Sequence, residues 1–122
     1  MNQKTILACD DEPHILESIK YIVNKEGFNL ITASNGKEAL ELARKHMPDL
    51  ILLDVNMPEL TGFEVCEQLK SNNDTKHICI VMLTANVQTS HTSQADIVGA
   101  DHFIEKPFSP RDLSRKLHEL LD

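Results

Sequence analysis

Short apolar runs in this chain end in residues that could do chemistry together. Ile6–Cys9 ends in the acid run Asp10-Asp11-Glu12, Leu50–Leu53 in Asp54, Ile78–Leu83 in Thr84, and Phe103–Ile104 in Glu105-Lys106-Pro107. Carboxylates gathered at one place repel one another and raise their own pKa values unless a cation sits among them. An all-oxygen donor set favours Mg²⁺ over zinc, and Mg²⁺ keeps water positions that a phosphoryl oxygen can take over. Asp54 ends the central apolar run, on the most rigid support, and is the carboxylate best placed for in-line attack on phosphorus to give an acyl phosphate. Charge on the transferring group would be met by Mg²⁺ and Lys106, with the Thr84 hydroxyl donating to a remaining oxygen. Singly, each residue has an ordinary use: Asp11 could cap a helix beginning near Glu12-Pro13, and Lys106 could be a solvated residue before a proline turn. Their joint occurrence at four run ends is what points to a site.

The elements that must position them are legible as well. Including Leu30–Ala33, five apolar runs recur, most of them continuous rather than alternating, as in parallel strands covered on both faces. Between them apolar residues return at helical spacing: Ile15, Ile19, Ile22 and Val23; Ala39, Leu40 and Ala43; Phe63, Cys66 and Leu69; Leu113, Leu117, Leu120 and Leu121. Gln88–Val98 is the weakest helix candidate, because Thr89, Ser90, Thr92 and Ser93 are poor interior helix formers. Asn35-Gly36, Met47-Pro48, Thr61-Gly62, Gly99 and Ser109-Pro110 fall between elements, where turn and cap chemistry belongs. Alternating strands and helices predict right-handed crossovers and an α/β, doubly wound (βα)5 sheet with helices on both faces. In such a sheet ligands bind beyond the carboxyl ends of the strands, where the chemical residues cluster.

Composition narrows the classes. A chain of 122 residues, 41% hydrophobic and 25% charged, fits one globular domain, 1–122. Its net charge of −7 argues against nucleic acid or an anionic membrane as direct partner. The start, Asn2-Gln3-Lys4 and a short run ending in acids, does not read as a signal peptide, and no stretch is long enough to span a bilayer, so a cytoplasmic location is expected. Cys9, Cys66 and Cys79 are odd in number and lie in apolar segments, which predicts buried reduced thiols. The six histidines lack zinc-site spacing and are expected in surface or packing roles.

Four segments carry a family resemblance: Ile-Leu-Ala-Cys-Asp-Asp-Glu-Pro (6–13), Leu-Ile-Leu-Leu-Asp-Val-Asn-Met-Pro (50–58), Met-Leu-Thr-Ala (82–85) and Gly-Ala-Asp-His-Phe-Ile-Glu-Lys-Pro-Phe (99–108). In order and spacing, from about Lys4 to Leu121, the chain resembles response-regulator receiver domains of two-component systems. The stretch from Ala33 to Leu40 is similar to the start of that family's second helix. The resemblance implies the flavodoxin-like strand order 2-1-3-4-5. It implies Asp54 as phosphoacceptor, and Mg²⁺ held by Asp10, Asp11, Asp54 and the backbone carbonyl of Asn56. Thr84 and Lys106 would bind the phosphoryl oxygens, and the Lys106–Pro107 peptide would be cis. Thr84 and Phe103 would form the switch, Phe103 turning inward as Thr84 moves, and this would reshape the face of the fourth predicted helix, the fifth strand and the C-terminal helix. By the same resemblance, Asn56 and Asn86 would occupy the positions that in the family tune loss of the phosphoryl group.

The implied role is that of a signalling receiver which assists its own phosphorylation and dephosphorylation rather than an enzyme. Its partners would be a histidine kinase or histidine phosphotransfer protein and a downstream effector, and dimerisation on phosphorylation is open. Departures are modest: Cys9 before the acid pair, His102, and Phe rather than Tyr at 103, so the switch here would rest on packing alone. Three rivals fit less well. A haloacid-dehalogenase-type phosphatase needs its nucleophile on the first strand and an Asp two residues on, where Asn56 stands. A flavodoxin-like FMN module needs a neutral phosphate loop where Asp10-Asp11-Glu12 stands. A phosphorylation-independent interaction scaffold would have no use for the complete acceptor, metal and lysine set.

Overall fold

The continuous apolar runs fold as strands because each supplies two cores at once. The structure is a computed structural model and describes residues 3–85 and 99–122. Its strands are β1 (Thr5–Cys9), β2 (Asn29–Ala33), β3 (Leu50–Asp54), β4 (Cys79–Thr84) and β5 (His102–Glu105). Its helices are α1 (Pro13–Lys25), α2 (Gly36–His46), α3 (Gly62–Lys70) and, at the C-terminus, α4 (Pro110–Leu121). The strands pair in parallel in the order β2-β1-β3-β4-β5, as the family resemblance implies. The helix expected over Gln88–Val98 lies outside the described residues, as does Asn86.

Alternate residues point to opposite faces of the sheet. Leu7, Cys9, Ile51, Leu53, Ile80 and Met82 pack against Ala39, Leu40, Ala43, Val65, Cys66 and Leu69 of α2 and α3. Ile6, Ala8, Leu50, Leu52, Val81 and Leu83 pack against Ile19, Ile22, Val23, Leu113 and Leu117 of α1 and α4. Fully burying a Leu or Ile side chain contributes about 1.5–3 kcal/mol, so β1, β3 and β4 are the firmest supports in the molecule. The edge strand β2 is buried only at Ala33.

The helices start where the sequence places cap chemistry. Asn35 Oδ1 accepts from Glu38 N at 2.8 Å at the head of α2. Thr61 and Glu64 form a reciprocal capping box on α3, and Ser109 Oγ accepts from Asp112 N at 3.0 Å at the head of α4. Helix α1 differs: Glu12 takes the cap position with no side-chain cap bond, and Pro13 sets the first turn. Asp11 is thus not spent as a cap. At the end of α3, Lys70 Nζ donates to the Ile78 carbonyl at 2.8 Å and pairs with Asp101 Oδ2 at 2.7 Å. Asp101 Oδ2 also accepts from Ile80 N at 2.8 Å, so one ion pair ties α3 to the start of β4 and the approach to β5.

Candidate functional site

In a sheet of order 2-1-3-4-5 the connections reverse direction between β1 and β3, which opens a crevice at their carboxyl ends. Asp10 directly follows β1 and Asp54 ends β3. Both are buried, Asp10 fully and Asp54 at 4% exposure. Lys106, just past β5, reaches over them: its ammonium lies 2.8 Å from Asp10 Oδ2, 3.2 Å from Asp54 Oδ1 and 3.6 Å from Glu12 Oε1. The residues most separated in sequence thus meet at one point. The Lys106–Pro107 peptide is cis. Lys106 N donates to the Thr84 carbonyl at 2.7 Å, which brings the end of β4 beside the lysine, with Thr84 itself buried.

Turns past the strands aim the carboxylates. Asp10 Oδ1 accepts from Glu12 N at 2.9 Å, and Asp54 Oδ1 accepts from Asn56 N at 3.3 Å. Gly62 sets the height of the β3–α3 turn, because a Cβ there would stand 2.1 Å from the Asp54 carbonyl oxygen. Only glycine permits that approach.

The electrostatics follow from burial and like charge. The Asp54 carboxyl is pushed up to about 6, first by loss of water and then by the Asp10 charge, while Lys106 and Asn56 N pull it back. Burial alone would lower the Lys106 pKa, but the Asp10 and Asp54 carboxylates outweigh it and raise it above its ordinary value. Lysine thus carries its full charge between two acids.

Asp10, Asp11 and Glu12 bring carboxylate oxygens to within 4.8 Å of one another, with Asp11 and Glu12 exposed. Asp10 Oδ2 is buried and meets the Lys106 ammonium at 2.8 Å as an ion pair with poor hydrogen-bond angles. A buried, under-satisfied carboxylate oxygen beside two exposed carboxylates suits a hard, oxygen-loving divalent cation with open water positions. The residues therefore fit Mg²⁺. Glu12, which sequence reasoning saw only as part of the acid run, belongs to this cluster, and Asp54 adjoins it across the lysine.

Phe103 is half-buried on β5 beside Met82 of β4. With Phe108, Asp112 and Lys116 it lines an open hollow of about 300 Å³ between β5 and α4. Of the thiols, Cys9 borders the site, directly before Asp10, and feels the charges of Asp10 and Asp54. Cys9 Sγ donates to the Asn35 carbonyl at 3.3 Å, and burial pushes the Cys9 and Cys66 thiols up to about 12. Cys79 is half-buried rather than buried, at the start of β4 before the register in which β5 pairs with it.

Sheet order and carboxylate rim together define the CheY-like class of flavodoxin-like α/β proteins. The chemotaxis protein CheY4 of Vibrio cholerae matches 98% of this chain and 100% of its own, at 33% identity and a TM-score of 0.92. The sequence profile of the response regulator receiver domain matches residues 6–118, and the chain belongs to that family, the receiver domains of two-component signalling. The alkaline phosphatase synthesis transcriptional regulatory protein PhoP of Bacillus subtilis is 41% identical over 121 residues. That alignment covers 99% of this chain and 49% of PhoP, so the chain spans about half the length of this relative. The receiver domain of sensor histidine kinase PA1611 from Pseudomonas aeruginosa PAO1, solved with a magnesium ion in its active site cleft, shares the fold at 24% identity and a TM-score of 0.89. Among the described residues no helix is long and apolar enough to cross a membrane.

Proposed function

We propose that the chain, as a single receiver domain over 1–122, accepts a phosphoryl group on Asp54 from the phosphohistidine of a histidine kinase or histidine phosphotransfer protein. The observation that carries this reading is the Lys106 ammonium held between Asp10 and Asp54 beside the acid cluster. Lys106 and Asn56 N both fall on Asp54 Oδ1, which leaves Oδ2 as the attacking atom. A new Oδ2–P bond forms as the donor's N–P bond breaks, and the pair of electrons leaves on the imidazole. Asp10, Asp11 and Asp54, with the Asn56 carbonyl, would hold Mg²⁺, and Glu12 stands close enough to assist. When bound, the ion supplies countercharge to the phosphoryl oxygens. Lys106 and the Thr84 hydroxyl meet the remaining oxygens, so the chain's own part is positioning and charge.

The output follows from the same rim. Thr84 moves toward the phosphoryl group, Phe103 turns inward, and the face of β5 and α4 changes for a downstream effector. Asn56 and Asn86 tune the lifetime of the acyl phosphate. The location we assign is the cytoplasm, and the direct partners are proteins rather than nucleic acid or membrane.

Intact mass after incubation with acetyl phosphate tests this, with and without Mg²⁺, on the chain and on Asp54→Asn. One added phosphoryl group that needs Mg²⁺ and is lost in the variant is the expected result. A folded, metal-binding chain that gains no mass would leave the phosphorylation-independent scaffold as the function.

A further inference from the structure

In parallel sheets the helices run back against the strands, so α1 and α4 both end at the amino rim, far from the acid site. Glu26 caps the end of α1 and Asp122 the end of α4. His118, in the last turn of α4, reaches both: Nε2 lies 2.7 Å from Glu26 Oε1 and Nδ1 2.6 Å from Asp122 Oδ2. Ionised carboxylates only accept hydrogen bonds, so both ring nitrogens must donate, and only imidazolium carries two N–H groups. The Phe28 ring, its centroid 5.3 Å away and tilted by 45°, packs against the imidazole and fixes its plane. The carbonyl end of α4 favours the positive ring as well.

The surrounding charges are few. On α1 the Glu26 carboxylate also accepts from Ser114 and feels a weaker pull from Lys25. Lys25, Arg111 and Arg115 line the groove between α1 and α4 beside Glu26, and the uncharged Phe28 ring packs on the imidazole.

We propose that His118 is a pH-operated latch, which as imidazolium pins the last turn of α4 to the end of α1 and on losing its proton releases one of its two carboxylates. Helix α4 is one wall of the hollow beside Phe103, so the latch sets how firmly that wall is held. The pH window follows from the linkage. Glu26, then Asp122, hold the His118 pKa above its ordinary 6.5, and the ring in turn holds Glu26 below its ordinary 4.5. The latch is complete below the unfolded histidine value and is lost as pH rises through the higher folded one; at the acid end it is lost as pH falls through the Glu26 value.

Ring NMR titration of the whole chain between pH 5 and 9 tests this, with the methyl signals of Leu117, Leu120 and Leu121 followed alongside. His118 is expected to titrate above 6.5, to move back toward it in Glu26→Gln and in Asp122→Asn, and to share its midpoint with the leucine methyls. A midpoint at or below 6.5 in the unaltered chain, or methyls that ignore it, would overturn the latch. In His118→Gln, which keeps a hydrogen-bonding side chain without the titration, the methyl transition should vanish; if it persists, another group drives it and the proposal falls.

Discussion

At the scale of the residue, Asp54, the acceptor proposed above, gives up stability by carrying a carboxylate in a buried place. A carboxyl whose folded pKa is raised to about 6 from 3.8 favours the protonated fold. Ionisation therefore costs stability above about pH 6, and the cost is relieved as pH falls through 6 toward the unfolded value. In EDTA, the denaturation midpoint should rise on acidification from pH 7 to 5. Asp54→Asn should be the more stable protein at pH 7, by about 3 kcal/mol at most, with a smaller rise on acidification. Urea unfolding at the two pH values checks this, and an Asn variant no more stable than the parent would refute it. Asp10, Asp54, Thr84 and Lys106 were legible because a strand end in a parallel sheet is a position that sequence marks. The His118 latch was not, since Glu26 and His118 lie on separate helices and neither carries a local motif.

At the scale of the element, the β3–α3 turn decides where Asp54 sits. Thr61-Gly62 was readable as a helix start, and the capping box bears that out. The second duty of Gly62 was not readable, because its close approach to the Asp54 carbonyl depends on how α3 lies on the sheet. Gly62→Ala should therefore cost more than an exposed glycine replacement, about 3 kcal/mol, and should slow phosphorylation by acetyl phosphate at least tenfold in whatever fraction remains folded. Thermal unfolding together with initial phosphorylation rates checks both halves. A variant with parental stability and rate would mean that the turn has slack. The tie from Lys70 to Asp101 was hidden in the same way: each residue reads alone as an ordinary surface charge, and only the folded chain brings them to 2.7 Å.

At the scale of the whole molecule, the topology was the most legible property. Runs such as Leu50–Leu53 must satisfy two cores at once, which leaves little room for polar residues and makes the central strands plain in the sequence. β2 was legible to within one residue, although an edge strand needs only part of its surface apolar, and β5 was the least fully read, with only Phe103–Ile104 of His102–Glu105 apolar. The whole fold should respond to the ion that its acid cluster fits. Mg²⁺ at ten times its Kd should stabilise the chain by about 1.4 kcal/mol, and Asp10→Asn should abolish the effect. A melting temperature indifferent to Mg²⁺ in the parent chain would remove the acid cluster as a metal site. The bridge made by Lys106 has one more consequence, which concerns the order of synthesis. Asp54 and the acid pair emerge from the ribosome early, but the ammonium that neutralises them follows the last strand. A nascent chain thus holds the carboxylates without their counter-ion, and the proposed site is electrostatically complete only once β5 has been made.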